Sequence, residues 1–315
     1  MERDSKKNLT IRTPDTPTSQ LMGVMCIVSR YNFSLSSINV NLYYNMRTKK
    51  SLGQNFLRDT KILKKIVDFA QIKKEDTVIE VGPGEGTLTE FLLERAKKIV
   101  AVEKDERLAR FLSEKFREEI LNNKLRIINE NILNYELRIK NYALVGNIPY
   151  YITGALFKKV LEAKNQPRSI TFVVQKEVAE RIMAKDGKES ILSISIKAYG
   201  EPEYGGTIKA GSFYPKPKVD SAIIAIRNIS KIKFVEAKIK EVDFFKVLKA
   251  GFAHKRKLLV RNLEKVSKSA FKMPRSQKAP LDTLKEIFKK CEIPEKARAE
   301  DLKVENWICL TKNLL

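Results

Sequence analysis

Apolar residues recur along this chain in two alternating rhythms. Ile62, Ile66 and Phe69 fall at helical spacing, with Leu63 and Val67 beside them, and predict a helix from residue 61. Thr77–Val81 follows as a short β-rich run, and Thr87–Ala96 returns to helix. Lys98–Val102 reads as a second strand, and Asp105–Leu121 as a helix with Leu108, Leu112 and Phe116 on one side. Leu125–Ile128, Tyr142–Val145 and Ile170–Val174 continue the series, with a helix between the last two. Ile191–Ala198 and Ser221–Arg227 read as two more strands. Such alternation predicts an α/β fold, a parallel sheet with helices on both faces.

Two ends of the chain break this pattern. Residues 1–48 are rich in Ser, Thr and Asn around a short apolar patch, Leu21–Val28. Glu2 and Asp4 open the chain and no clear cleavage site follows, which fits neither a signal nor a transit peptide. The stretch is expected to be a disordered extension or a start-site artefact, with Met46 as an alternative start. After about residue 230 the pattern turns helical and strongly basic, so residues 49–229 and 230–315 are expected to form a larger and a smaller domain. A length of 315 residues agrees with two domains at roughly 150 residues each.

Candidate chemistry lies where predicted strands end. The first strand runs into Val81-Gly82-Pro83-Gly84-Glu85-Gly86-Thr87. A glycine turn between strand and helix lets a ligand approach the backbone closely. The next strand ends in Glu103, near the spacing expected of an acid that binds ribose hydroxyls. The loop departs from the GxGxxG dinucleotide pattern, and Glu80 precedes it. An acid there suits a ligand bearing an ammonium and a sulfonium, such as S-adenosylmethionine, better than a pyrophosphate. Methyl transfer therefore ranks above hydride transfer, with both open on these residues alone.

The fourth strand leads into Gly146-Asn147-Ile148-Pro149-Tyr150. An exocyclic adenine amine is a poor nucleophile because its lone pair is conjugated with the ring. Two acceptors aimed at its N–H bonds, the Asn147 carbonyl and a backbone carbonyl near Pro149, would draw it toward tetrahedral geometry. Pro149 would fix the turn, and Tyr150 could stack on an extruded base.

Composition narrows the field. There are 61 Lys and Arg against 38 Asp and Glu, a formal charge of +23, which points to a polyanionic partner, nucleic acid first and anionic membrane second. Residues 246–278 hold 11 Lys or Arg and one acid, Glu264. Within them Lys255, Arg256, Lys257 and Arg261 are candidate RNA contacts, with Phe252, Leu258 and Leu259 as anchors. One histidine, His254, excludes a multi-histidine metal site and disfavours triad chemistry; no metal is expected. Cys26, Cys291 and Cys309 are far apart and odd in number, so reduced cysteines in a cytosolic protein are expected. No apolar run approaches the ~20 residues that span a bilayer.

Taken together, Gln54-Asn55-Phe56-Leu57, the Gly82 loop, Glu103, Asn147-Ile148-Pro149-Tyr150, Gln175-Lys176-Glu177-Val178 and Phe213–Ser221 resemble the ribosomal-RNA adenine N6,N6-dimethyltransferases. Arg298–Leu302 and Asp220 resemble the small-subunit (KsgA-type) branch rather than the erythromycin-resistance enzymes of the large subunit. The resemblance implies a Rossmann-like class I methyltransferase sheet with a smaller C-terminal helical domain, and S-adenosylmethionine as cofactor. It implies cofactor contacts from Asn55, Leu57, Gly82, Glu103, Asn131 and Asn147. It implies catalysis by Asn147 and Pro149, with Tyr150 and Phe213 sandwiching a flipped adenine. The implied partner is small-subunit rRNA in a pre-ribosomal 30S-type particle, met by a cytoplasmic monomer. Asn131 departs from the family's usual Asp, so weaker cofactor binding is expected. The alternatives are large-subunit rRNA, DNA adenine, or a non-catalytic assembly factor on the same fold.

Overall fold

The computed structural model describes residues 54–270 and 281–315; the expected extension 1–48 and the basic residues 271–278 lie outside them. The described chain opens with β1 (Phe56–Leu57) and α1 (Thr60–Ala70). The Asp59 carboxylate caps α1, accepting from the Lys61 and Ile62 amides at 3.0 and 3.3 Å. That supplies partners for two of the orphan N–H groups of the first turn. Leu63, Ile66, Val67 and Ala70 form its buried stripe.

Five strands then alternate with helices: β2 (Thr77–Val81), α2 (Thr87–Arg95), β3 (Lys98–Glu103), α3 (Glu106–Lys115), α4 (Arg117–Leu121), β4 (Leu125–Asn129), β5 (Tyr142–Asn147), α5 (Thr153–Glu162) and β6 (Ser169–Gln175). The expected helix 105–121 is two helices, because Phe116 leaves helical geometry at φ −110°, ψ 34° while burying its ring. Next come α6 (Lys176–Met183), α7 (Ile191–Lys197), β7 (Glu201–Ile208), β8 (Phe213–Tyr214) and β9 (Ser221–Arg227). The sheet order is β4-β3-β2-β5-β6-β9-β7. The first five strands are parallel, whereas β9 runs antiparallel to β6 and β7 antiparallel to β9. The sheet is thus mixed: no crossover helix joins β7 to β9, and without one consecutive strands return antiparallel.

Ile191–Ala198, expected as a strand, is helix α7. Ser190 and Ser193 form a capping box, each hydroxyl accepting from the other's amide, at 3.1 and 2.6 Å, and this local nucleus overrides the β-branched composition. The strand position passes to Glu201–Ile208, which Pro202, Gly205 and Gly206 disguise. It is an edge strand with a bulge between Tyr204 and Gly206, where proline and glycine are tolerated.

Beyond residue 230 the described chain is helical: α8 (Ile232–Ala237), α9 (Glu241–Gly251), α10 (Leu259–Ala270), α11 (Leu281–Lys290) and α12 (Val304–Leu314). One apolar core runs without a break from Ile79 and Leu144 in the sheet to Phe244, Phe288 and Trp307 in these helices. Cys291 and Cys309, expected as thiols, are joined in a disulfide with Cα atoms 5.6 Å apart. The packing of α11 against α12 closes a gap of 18 residues in sequence, which spacing could not reveal. The cysteine argument for a reducing compartment falls with it. Among the described residues, no helix is long and apolar enough to cross a membrane.

Candidate active site

The chain proceeds from β2 outward to β3 and β4, then returns to the other side of β2 with β5 and β6. This reversal is the switch point at which open α/β sheets bind ligands, outside the carboxyl ends of their strands. Val81 of β2 lies opposite Gly146 of β5, so Gly82 and Asn147 emerge side by side. A cleft opens there, lined by the glycine loop, Glu103, Asn131 and Asn147.

The glycine loop forms one wall. Gly82, Gly84 and Gly86 all take positive φ, at 62°, 59° and 78°. At Gly84 a Cβ would also stand 2.9 Å from the Phe56 ring, so only glycine fits between the loop and the segment above it. The amide of Gly84 donates to Glu103 at 3.2 Å, and that of Asp105 at 2.8 Å. These bonds hold the Glu103 carboxylate in the cleft, although burial pushes it up from the ordinary carboxyl range. Glu80 is fully buried at the floor and accepts from the Thr89 hydroxyl at 2.7 Å. Desolvation pushes its carboxyl up to about 8.

Residues 54–58 roof the cleft. The Thr87 hydroxyl donates to the Leu57 carbonyl at 2.9 Å and the Gln54 amide to Asp105 at 3.2 Å. Asp105 is held down to about 2, chiefly by its hydrogen bonds from Arg107. Arg58 grips Glu85 of the glycine loop through two bonds of 3.0 and 2.6 Å, and its guanidinium lies 5.1 Å above the Tyr214 ring. Tyr214 belongs to β8, which pairs with β1 so that Leu57 faces Phe213. The roof is thereby bonded both to the glycine loop and to the strand carrying Phe213.

Asn147 ends β5 within this enclosure. Its Nδ2 donates to the Asn55 carbonyl at 2.8 Å. A carbonyl can only accept, so this bond sets which way the amide faces, and Oδ1 is the acceptor left for a ligand. Pro149 follows at φ −58°, ψ 131° and its carbonyl accepts from Ile152 at 3.1 Å, closing a 3₁₀ turn over Tyr150–Ile152. The half-buried Tyr150 lines the cleft, its hydroxyl 2.7 Å from that of Ser221.

A family model for ribosomal RNA adenine dimethylases matches residues 45–309. The chain belongs to the ribosomal RNA adenine dimethylase family. A ribosomal RNA small subunit methyltransferase A of Dehalococcoides mccartyi is 41% identical over 85% of this chain and 89% of its own. A dimethyladenosine transferase from Plasmodium falciparum superposes with a TM-score of 0.68 at 26% identity, over 81% of this chain and 95% of that one. The 23S rRNA methyltransferase ErmE superposes with a TM-score of 0.64 at 27% identity, over 82% and 99%.

As a dimethylase-family chain, the protein is expected to use S-adenosylmethionine as methyl donor, and its residues fit that group. The glycine loop leaves its backbone open to a ligand, and two buried acidic side chains, Glu80 and Glu103, face a cleft otherwise largely apolar. Six residues expected to hold the cofactor (Asn55, Leu57, Gly82, Glu103, Asn131 and Asn147) all line this one cleft. Asn131 arrives with its Oδ1 already accepting from the Leu133 amide at 3.1 Å, so one lone pair of that oxygen remains.

Of the residues expected on the target side, Pro149 and Tyr150 line the cleft, but Phe213 does not. Phe213 is 4% exposed, held in the β1–β8 ribbon. Tyr151, passed over in the sequence, lines the cleft mouth with 62% of its surface exposed. Its neighbour Tyr150 was the available signal. Thr89, Gln54 and Ser221, none of them among the expected site residues, bond Glu80, Asp105 and Tyr150 in turn; short polar residues announce no such contact.

The basic candidates lie apart from this cleft in sequence. Lys255, Arg256 and Lys257 are exposed in the loop between α9 and α10. Asn262 pins that loop, its amide donating to the Gly251 and His254 carbonyls at 2.6 and 3.1 Å. Phe252 stacks on Trp307 with ring centroids 5.5 Å apart, and Leu259 is fully buried. Leu258, expected as a third anchor, is 38% exposed. It precedes the first turn of α10, so only Leu259 joins that helix's buried side. Arg261 is paired with Glu264 at 2.8 Å.

Proposed function

We propose that this chain transfers methyl groups from S-adenosylmethionine to N6 of two adjacent adenines in a small-subunit rRNA hairpin, within a pre-ribosomal 30S-type particle. The observation that carries this reading is the Asn147 amide, turned by the Asn55 carbonyl so that Oδ1 is its acceptor, beside the glycine loop. When bound, the cofactor supplies an electrophilic methyl on sulfonium and a neutral thioether leaving group.

The chain's residues would do the rest by position. Gly82, Glu103, Leu57 and Asn131 would hold the cofactor, with Glu103 accepting from ribose hydroxyls through its spare lone pairs. Asn147 Oδ1 and a backbone carbonyl near Pro149 would accept from the two N–H bonds of the adenine. This draws the nitrogen lone pair out of conjugation and aims it in line with the methyl. The excess proton leaves to solvent after N–C bond formation. Tyr150 would support the extruded base, and Phe213 would meet it if the β1–β8 ribbon shifts. Lys255, Arg256, Lys257 and Arg261 would bind phosphate, where structured RNA is read by shape and backbone. A monomer acting in the cytoplasm, where ribosomal subunits mature, fits this substrate.

The similarity to ErmE favours large-subunit rRNA as the second reading. Asp220, whose carboxylate accepts from the Ala210 amide at 3.0 Å and meets Lys209 at 3.0 Å, follows the small-subunit branch. The test is methyl transfer from labelled cofactor to undermethylated small subunits, large subunits and DNA, followed by nucleoside mapping. Dimethyladenosine in small subunits is expected; exclusive labelling of large subunits or DNA overturns the reading. Asn147→Ala is expected to reduce transfer at least a hundredfold, with RNA affinity nearly unchanged in a filter-binding assay.

A further inference from the structure

The geometry points to Ser221 as a positioning residue that holds the Tyr150 ring in place as the platform for the target base. This rests on the reading of Tyr150 given above. Tyr150 opens a 3₁₀ turn whose backbone is fastened on one side, where the Thr153 hydroxyl donates to the Tyr150 carbonyl at 3.0 Å. At the far end of the ring, the phenol meets Ser221 Oγ at 2.7 Å. The side chain is therefore fixed at both ends, which removes the freedom of its two rotatable bonds.

Ser221 is suited to act as the fixed end. It is wholly buried and begins β9. In the sheet it lies opposite Gln175, the last residue of β6, and Ile208, the last residue of β7. Paired on both sides, its backbone is held in place. Burial raises the phenol above its ordinary range, so it stays a neutral hydrogen-bonding group at working pH. A ring preset in this way forfeits less freedom when a flat base stacks on it. A base displaced by about 1 Å would lose much of its in-line alignment.

A purely structural serine–tyrosine bond would also satisfy two hydroxyls, so the test must separate the roles. Tyr150→Phe breaks the bond and keeps the ring; Ser221→Ala breaks it from the other side. Steady-state transfer to small subunits is compared for both single variants, the double variant and Tyr150→Ala. In parallel, 2-aminopurine replaces the mapped target adenine in an RNA hairpin. Its fluorescence lifetime is read without cofactor, since contact with an aromatic ring quenches this base. Each single variant is expected to lower kcat/KM about three- to tenfold, and the double variant by no more than either. The unquenched fraction is expected to rise in all three. Additive losses, or unchanged lifetimes, overturn the tether. If Tyr150→Ala loses activity and quenching while Ser221→Ala and Tyr150→Phe lose neither, the tether alone is wrong. If Tyr150→Ala itself leaves both intact, the platform reading falls and the tether with it. Should Ser221→Ala fail to fold, Tyr150→Phe still decides, because it leaves β9 untouched.

Discussion

Single residues in this cleft are governed by burial and by which hydrogen-bond partners have already been taken. Glu80 shows the cost of desolvating a carboxylate: it titrates near 8 rather than 4.5. Its folded pKa lies above its unfolded one, so the native state retains a proton that the unfolded chain has released. Stability contributed this way is present below pH 4.5 and is lost as pH rises toward 8. At about 1.4 kcal/mol per pKa unit, the loss reaches a few kcal/mol. Glu80→Gln is therefore expected to flatten the decline of urea-unfolding stability between about pH 5 and 8, gaining on wild type as pH rises; parallel curves would refute the cause. Asn131 illustrates the second factor. Its carbonyl serves the Leu133 amide, whereas a carboxylate could serve that amide and a cofactor amine with separate oxygens. Asn131→Asp is expected to bind S-adenosylhomocysteine as tightly or up to about tenfold more tightly by calorimetry; a large loss would place the cofactor's adenine elsewhere.

Elements form where local chemistry and tertiary context agree, and α7 marks the point where composition alone misleads. Ile191, Ile194 and Ile196 suit a strand, yet the Ser190–Ser193 box supplies the first-turn amides with partners. Ser190→Ala is expected to cost about 1 kcal/mol in chemical denaturation, with cofactor affinity unchanged. The inner parallel strands were legible because they are buried on both faces and read as continuous apolar runs, as Tyr142–Val145 does. The β1–β8 ribbon was not legible. Its two pieces, Phe56–Leu57 and Phe213–Tyr214, are far apart in the chain and too short for any periodicity to register. Only their pairing makes the roof of the cofactor cleft and the strand bearing Phe213 one piece.

At the scale of the whole molecule, the +23 charge sets the terms of association. Each phosphate contact releases counterions, so affinity falls with salt in proportion to the contacts made. Replacing Lys255, Arg256 and Lys257 together by Ala is expected to weaken RNA binding and lower the slope of log K against log salt by about two. The melting temperature should hold, since all three side chains are exposed; an unchanged slope would move the RNA surface elsewhere. The sequence by itself determined the alternation of strands and helices, the glycine loop, the acid at Glu103 and the Asn147–Tyr150 turn. Each of these is a local pattern, written in neighbouring residues. Only the tertiary structure decided that Asn55 sets the face of the Asn147 amide, that Ser221 meets Tyr150, that Phe213 lies buried, and that Cys291 joins Cys309. Those are contacts between residues separated in the chain, made where the strand order reverses at β2, where β1 pairs with β8 and where α11 packs on α12.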